Sequence, residues 1–207
     1  MKEFCVLIDN GHGYETPGKC SPSYFKRRIY EWEYTRKIAK ALSDKLTQNG
    51  IRNILITPET SDITLSERAR RVNEYCKTYN CIMISIHCNA SQMDNTGTGF
   101  EVWTTKKQTN SDDLADLFVE TFKEIMPGYL CRGHREYNWT ILWLSNCPCV
   151  LTENFFMNNF KDVDFLLSDD GFNKIVMMHY RTIQKYIKNN GIKILKDPTW
   201  HKHVTRL

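Results

Sequence analysis

The stretch CIMISIH, residues 81–87, is apolar almost throughout and ends on a histidine. A short apolar run without polar alternation is typical of a strand that is buried on both faces of a sheet. Sheets of this kind are covered by helices on both sides. Residues 81–87 therefore indicate an α/β fold built in layers.

Strand and helix patterns alternate on both sides of this stretch. Further strands are predicted at residues 4–8, 52–57, 100–104, 139–144 and 149–153. Helices are predicted at residues 32–46, 65–79, 112–126, 161–167 and 171–189, from apolar spacing and capping residues. The alternation predicts one α/β domain with a mostly parallel β-sheet flanked by helices on both faces. We assign residues 1–191 to this domain and residues 192–207 to a C-terminal tail.

The composition excludes several classes of protein. The chain has 207 residues, with 28 Lys and Arg against 24 Asp and Glu, and a formal charge of +4. Hydrophobic residues make up 41% and charged residues 25%, which argues against wholesale disorder. The longest apolar runs fall far short of the roughly 18 residues that cross a bilayer, so membrane insertion is excluded. No basic stripe supports a nucleic-acid partner, and we expect a monomer.

The cysteines and the N-terminus bear on the cellular compartment. Several of the eight cysteines lie within apolar runs, where cysteine behaves as a small hydrophobic residue, so we expect free thiols. The first apolar run is too short for a secretory signal and has no small-residue cleavage site. We therefore expect the chain to be cytoplasmic as synthesised.

Four polar residues stand where a parallel sheet places its active site. His12 follows the first strand, His87 ends the stretch quoted above, and Glu153 ends the last strand. Glu31 opens the first long helix. Two imidazoles and a carboxylate form a standard ligand set for catalytic zinc, and a further carboxylate nearby can act as general base. Taken singly, Glu31 could be a helix-start carboxylate, and each histidine a hydrogen-bonded turn residue.

The motifs around these residues occur in the order of a known family. They are DNGHG at 9–13, LSER at 65–68 with Asn73, SIHCNA at 85–90, GFEVW at 99–103, and PCVLTE at 148–153 with Phe156 and Asn159. In these motifs the chain resembles the zinc-dependent N-acetylmuramoyl-L-alanine amidases of the Amidase_3 type, found in cell-wall remodelling enzymes and phage lysins. The resemblance covers residues 4–187. The spacing to Ile38-Ala39 and to Gly50 selects Glu31, and not Glu33, as the family's zinc-binding glutamate.

The resemblance implies a reaction. The family hydrolyses the amide that joins the lactoyl group of N-acetylmuramic acid to L-alanine of the peptidoglycan stem peptide. By the resemblance, one zinc ion per chain is held by His12, Glu31 and His87, and Glu153 is the general base. Two positions depart from the family pattern, because Tyr14 and Phe155 stand where the family has glycine. These departures concern the shape of the cleft and not the ligand set.

Other residues are weaker candidates for substrate contacts. We assign such contacts to Asn89, Arg132 and His134, with His134 on the rim of the cleft. The alternative for Arg132 is a solvated loop charge. Trp139 and Trp143 are interpreted as core residues in preference to sugar platforms.

Two other functions stay open at this point. A zinc peptidase could cut a different bond of peptidoglycan, and a non-catalytic module could bind or regulate the wall with the same fold. The second is disfavoured because all four chemical positions are intact. With no leader or wall-binding domain in the sequence, a phage or prophage lysin is favoured over a chromosomal enzyme.

Overall fold

The structure is a computed structural model, and it describes residues 2–194. Most of the predicted tail, including His201 and His203, lies outside these residues. No helix within the described part of the chain is both long enough and apolar enough to span a membrane.

Within residues 2–194, six strands form one sheet. They are β1 (Phe4–Asn10), β2 (Asn53–Leu55), β3 (Asn80–Asn89), β4 (Phe100–Thr104), β5 (Cys131–Glu136) and β6 (Cys149–Phe156). Their order across the sheet is β2-β1-β3-β6-β4-β5. All neighbouring pairs are parallel except β4 and β6, which are antiparallel. The predicted mostly parallel sheet is confirmed.

In the described part of the chain, six helices cover the two faces of this sheet. They are α1 (Glu31–Gln48), α2 (Leu65–Thr78), α3 (Asn110–Ile125), α4 (Thr140–Leu144), α5 (Phe160–Leu166) and α6 (Asp169–Asn189). The larger hydrophobic cluster contains buried residues of α1, α3, α5 and α6, and the smaller one contains those of α2 and α4. Strand β1 contributes side chains to both clusters: Val6 and Ile8 to the larger one, and Cys5 and Leu7 to the smaller one. This alternation is the two-residue period of a strand, and burial on both sides makes residues 4–8 of β1 apolar throughout.

The strand predicted at residues 139–144 is wrong, because residues 140–144 form helix α4. Ile141 and Leu142 are adjacent and both buried, a pattern that a helix end can satisfy as well as a buried strand can. The core interpretation of the two tryptophans is also wrong. Trp139 is 40% exposed and Trp143 is 53% exposed.

Strand β5 was not predicted. Its sequence, CRGHRE, has one apolar residue and no alternation, because the strand lies at the edge of the sheet and none of its residues is fully buried. The apolar pattern that identifies a strand comes from burial of at least one face, and an exposed edge strand lacks it.

A buried ion pair joins helix α2 to the end of β1. Asp9 and Arg68 are both almost fully buried, and Arg68 Nη1 donates to Asp9 Oδ1 over 2.9 Å. Ser85 donates to the other oxygen of Asp9 over 2.6 Å, and Arg68 Nη1 also donates to the carbonyl of Asn10 over 2.6 Å. The pair therefore fixes the point where β1 leaves the sheet.

We predict that Arg68→Met destabilises the protein by about 3–5 kcal/mol, the usual effect of removing one partner of a buried pair. The cause is the Asp9 carboxylate, which stays buried without its cation. Urea denaturation monitored by circular dichroism measures the change. Arg70→Met is the matched control, since Arg70 lies on the same helix but is mostly exposed, and its loss should change the stability little. Equal destabilisation by both variants would contradict the prediction.

Candidate metal centre and active site

The carboxyl ends of β1, β3 and β6 carry three of the predicted site residues. His12 lies two residues beyond the end of β1, and His87 of β3 is the register partner of Glu153 of β6. Glu31 is the first residue of α1. The topology thus brings together four residues that are widely separated in the sequence.

The turn that carries His12 is sterically constrained. His12 has a φ of 64°, in the left-handed region that L-residues seldom adopt. A side chain at Gly11 would collide with the His87 imidazole, and one at Gly13 would collide with the backbone of Asp62. Arg36 Nη1 donates to the His12 carbonyl over 3.1 Å. The close approach of the chain on both sides explains the two glycines of DNGHG.

The Glu31 carboxylate lies between the two imidazoles and is almost fully buried. Its Oε2 is 3.3 Å from His12 Nε2, and its Oε1 is 3.1 Å from His87 Nδ1. The backbone N–H of Cys88 donates to Oε1 over 3.1 Å. One nitrogen of each histidine and one oxygen of Glu31 lie within 4.8 Å of one another.

This cluster fits a bound metal ion. Glu31 Oε2 is buried and accepts no hydrogen bond, so it has a lone pair directed into the cluster without a donor. Two imidazoles and a carboxylate suit zinc and related divalent ions. Within residues 2–194, no other group of three His, Cys, Asp or Glu residues brings its ligand atoms together in this way.

The protonation of the cluster is set by burial and by Glu31. Burial lowers the pKa of His12 to about 4, so this imidazole is neutral and can act as a ligand. Burial also acts to lower the pKa of His87, but the hydrogen bond and charge of Glu31 outweigh it, and the net direction is upward. Burial acts to raise the pKa of Glu31, and the contact with His87 and the charge of His12 reverse this, so the net direction is downward.

Glu153 supplies a second carboxylate beside the cluster. Its Oε2 is buried and has no hydrogen-bond partner. Burial raises its pKa to about 8, with opposition from His87 and with support from the charges of Glu31 and Glu101. A carboxyl group with a pKa near neutrality is suited to exchange a proton.

Glu101 is a residue of this site to which the sequence analysis assigned no role. It lies on β4 directly opposite Glu153 in the antiparallel pairing, and it is almost fully buried. Asn89 Nδ2 donates to Glu101 Oε1 over 2.8 Å. The Nε atoms of Arg132 and Arg135 lie 2.6 and 3.1 Å from Glu101 Oε2. The available signal for Glu101 was its position between Phe100 and Val102 in a predicted strand. A carboxylate buried in a strand needs hydrogen-bonding or charged partners, and such partners mark a site.

The structure places the three candidates for substrate contacts in two different surroundings. Asn89 and Arg132 both contact Glu101 and so lie beside the Glu153 strand. His134 lies away from this group, with Nε2 2.7 Å from the Thr104 hydroxyl and Nδ1 3.3 Å from Asp116. His134 is not part of the metal cluster.

A cleft opens onto the cluster. It has a volume of about 370 Å³ and is lined by His12, His87, Arg68 and residues 62–65. Residues 62–65 precede or begin α2, so the cleft is bounded by the first turn of that helix.

The two departures from the family pattern have different surroundings. Tyr14 is 60% exposed and leaves the cluster untouched. Phe155 has a φ of 66°, which explains why the family pattern has glycine there. In this chain the Phe155 ring is fully buried, with its centroid 4.8 Å from that of Phe165 and 5.4 Å from that of Tyr129. The buried ring offsets the backbone strain, which is roughly 1–2 kcal/mol for an L-residue.

Comparison with known sequences agrees with this geometry. The sequence profile of the N-acetylmuramoyl-L-alanine amidases matches residues 6–185. An endolysin of Bacillus phage SPP1 is 30% identical over 176 residues, which are 81% of this chain and 59% of the relative. The N-acetylmuramoyl-L-alanine amidase CwlM of Bacillus licheniformis is 28% identical over 186 residues, which are 84% of this chain and 65% of the relative. The chain thus spans less than two thirds of the length of these two relatives.

Solved structures share the fold over nearly the whole chain. An N-acetylmuramoyl-L-alanine amidase from Clostridium difficile 630 superposes with a TM-score of 0.81 at 27% identity, covering 92% of this chain and all of that one. The catalytic domain of the amidase CwlV from Bacillus (Paenibacillus) polymyxa has a TM-score of 0.77 at 25% identity, and covers 93% of this chain. Sequence profile, fold and the placement of the motif residues agree, and the chain belongs to the N-acetylmuramoyl-L-alanine amidase family.

Proposed function

We propose that this chain is a zinc-dependent peptidoglycan hydrolase that cleaves the amide between the lactoyl group of N-acetylmuramic acid and L-alanine of the stem peptide. The observation that carries the proposal is the convergence of His12, Glu31 and His87 within 4.8 Å, with Glu153 on the neighbouring strand. The ligand set leaves a side open to the cleft, where a substrate carbonyl and water can enter.

His12, Glu31 and His87 would hold the zinc. When bound there, zinc supplies Lewis acidity, which polarises the scissile carbonyl and makes water more acidic. Glu31 contributes the negative charge of the ligand set, and its burial keeps solvent away from that charge. The Cys88 N–H and the His87 imidazole hold the carboxylate in one orientation.

Glu153 would move the proton. Its buried Oε2 accepts no hydrogen bond from the protein, and is free to accept a proton from the attacking water. The same carboxyl group can then donate that proton to the departing amine nitrogen of L-alanine. Arg132 and Arg135 hold the Glu101 carboxylate in ion pairs. Glu101 and Glu153 can therefore lie opposite each other on adjacent strands.

The bond that is cut tests the proposed function directly. Digestion of purified peptidoglycan should release peptides with a new N-terminal L-alanine and leave glycan with free muramoyl lactate, as measured by mass spectrometry. Cleavage within the stem peptide would instead identify a zinc peptidase. Retarded wall fragments without any product would identify a binding module.

We predict one zinc ion per chain, and loss of activity when a chelator removes it. Glu31→Gln should lower the zinc content and the activity together, because the ligand set loses its charge. Glu33→Gln is the matched control in the same helical turn, since Glu33 is half-exposed and pairs with Lys37. Metal analysis of the purified variants measures the difference. Full activity of a metal-free protein would overturn the prediction.

The apo protein should stay folded, because the two hydrophobic clusters do not depend on the metal ligands. Cooperative thermal unfolding of the chelated protein is the expected result. An apo protein without a cooperative transition would show that the metal holds the fold together.

We predict that Glu153→Gln retains zinc but lowers the rate by about 100- to 10,000-fold, the usual contribution of a general base. The amide keeps the volume of the side chain and removes the proton acceptor. His87→Ala should instead lower zinc content and rate together. If Glu153→Gln loses zinc as readily as His87→Ala, then Glu153 is a ligand. If it keeps both zinc and turnover, the catalytic assignment fails.

A further inference from the structure

Four thiols form a connected cluster at the amino end of the sheet, opposite to the metal centre. The thiol cluster consists of Cys5, Cys76, Cys81 and Cys147. Cys5 and Cys81 are register partners near the starts of β1 and β3. Cys76 lies in the last turn of α2, and Cys147 lies in the segment before β6. None of the four belongs to the motifs that carry the amidase chemistry.

The thiols lie side by side between α2, the sheet and the segment before β6. The side chains of Cys76 and Cys147 both pack against the hydrophobic cluster that contains Cys5 and Cys81. Asn73, one turn before Cys76, joins α2 to the segment that carries Cys147: its Nδ2 donates to the Leu144 carbonyl over 2.8 Å, and its Oδ1 accepts from the Asn146 N–H over 2.8 Å. All eight cysteines of the chain are free thiols in the structure. Cys5 and Cys81 are buried, whereas Cys76 and Cys147 are partly exposed. Cys76 and Cys147 are therefore more accessible to oxidants in solution than the two strand residues.

A surface cavity leads to the cluster. It has a volume of about 440 Å³ and is lined by residues that include Cys76, Cys81, Cys147 and Lys2. Lys2 Nζ donates to the Cys76 carbonyl over 2.9 Å. The ammonium group lies at the carboxyl end of α2, where it offsets the negative end of the helix dipole near the Cys76 thiol.

The thiols do not surround a common point. Within residues 2–194, the ligand atoms of three metal-binding side chains meet within 4.8 Å only at His12, Glu31 and His87. The arrangement is therefore suited to pairwise chemistry between thiols and not to a thiolate metal site.

Cys76 is the thiol prepared to react. The neighbouring thiols of Cys147 and Cys81 lower its pKa to about 4, with a further contribution from Lys2. The pKa of Cys147 is raised, chiefly by the neighbouring Cys76 thiol. The pKa of Cys81 is also raised, chiefly by the neighbouring Cys5 thiol. Cys76 is thus more acidic than Cys147 and Cys81, and the thiolate is the form of cysteine that attacks an oxidant.

Cys147 is the better partner for Cys76. Cys81 is held within β3, a central strand that pairs with both β1 and β6. Cys147 lies outside any strand or helix, between α4 and β6. An S–S bond is about 2.0 Å long, so the two sulfur atoms must move together to form it. A loop residue can make that movement more easily than a residue of a central strand.

We propose that Cys76 and Cys147 form an oxidative modification site that closes to an intrachain disulfide with hydrogen peroxide as the oxidant. The Cys76 sulfur attacks the peroxide O–O bond, which gives a sulfenic acid and releases water after proton transfer. The Cys147 sulfur then attacks the sulfenic sulfur, forms the S–S bond and releases a second water. Two thiols lose two electrons and two protons, and one peroxide is reduced to two waters.

The test uses the purified full chain, treated with hydrogen peroxide, alkylated to block remaining thiols, and digested with trypsin. Cleavage after Arg71 and Lys77 isolates Cys76 in residues 72–77, Cys81 lies in residues 78–106, and Cys147 lies in residues 136–161. We expect the free thiols to fall from eight to six, since the chain has 8 cysteines and the disulfide uses two. Mass spectrometry should find residues 72–77 joined to 136–161, and dithiothreitol should restore the count.

Variants assign the bond to its two sulfurs. Cys76→Ser and Cys147→Ser should each abolish the link. Cys149→Ser should retain it, although Cys149 lies in the same tryptic peptide as Cys147. Cys20→Ser is the matched control, because Cys20 is also partly exposed but lies in the loop before α1. A link from residues 72–77 to 78–106, a link between two chains, or unlinked and unmodified Cys76 in the wild-type digest would each overturn the proposal.

Discussion

The charge of the Glu31 carboxylate constrains the rest of the active site. A carboxylate with almost no exposure to solvent must be compensated locally. Here the His87 imidazole and the Cys88 N–H hydrogen-bond with Oε1, and the His12 imidazole lies 3.3 Å from Oε2. These groups come from the turn after β1 and from the end of β3, and Glu31 itself begins α1. The contacts around Glu31 therefore also join the start of α1 to the ends of β1 and β3.

The site was largely predictable because a parallel sheet places strand ends together. His12, His87 and Glu153 each follow or end an apolar run, and that position alone puts them at one end of the sheet. Glu31 was harder, because Glu33 lies two residues away in the same helical turn. The family spacing selected Glu31, and the structure separates the two by burial. Helix spacing places a residue on a face but does not by itself show which face meets the site.

The parts that were missed are those whose residues lack a periodic apolar signal. Helix α4 is short, and its two buried residues are adjacent, so its pattern is shared by strands. Glu101 is polar within an apolar strand, and its meaning depends on Asn89, Arg132 and Arg135, which come from two other strands. Contacts of this kind follow from the order of strands across the sheet. A single sequence does not determine that order.

The composition of β5 has a consequence for the behaviour of the protein at high concentration. An edge strand exposes unpaired N–H and C=O groups, and a second molecule can add to them and start an aggregate. In β5 those groups are flanked by two arginines, a histidine and a glutamate, and β2 at the opposite edge has only three residues. Charged side chains and short length both discourage strand addition. The feature that hid β5 from sequence analysis is thus also the one that protects the sheet from intermolecular pairing.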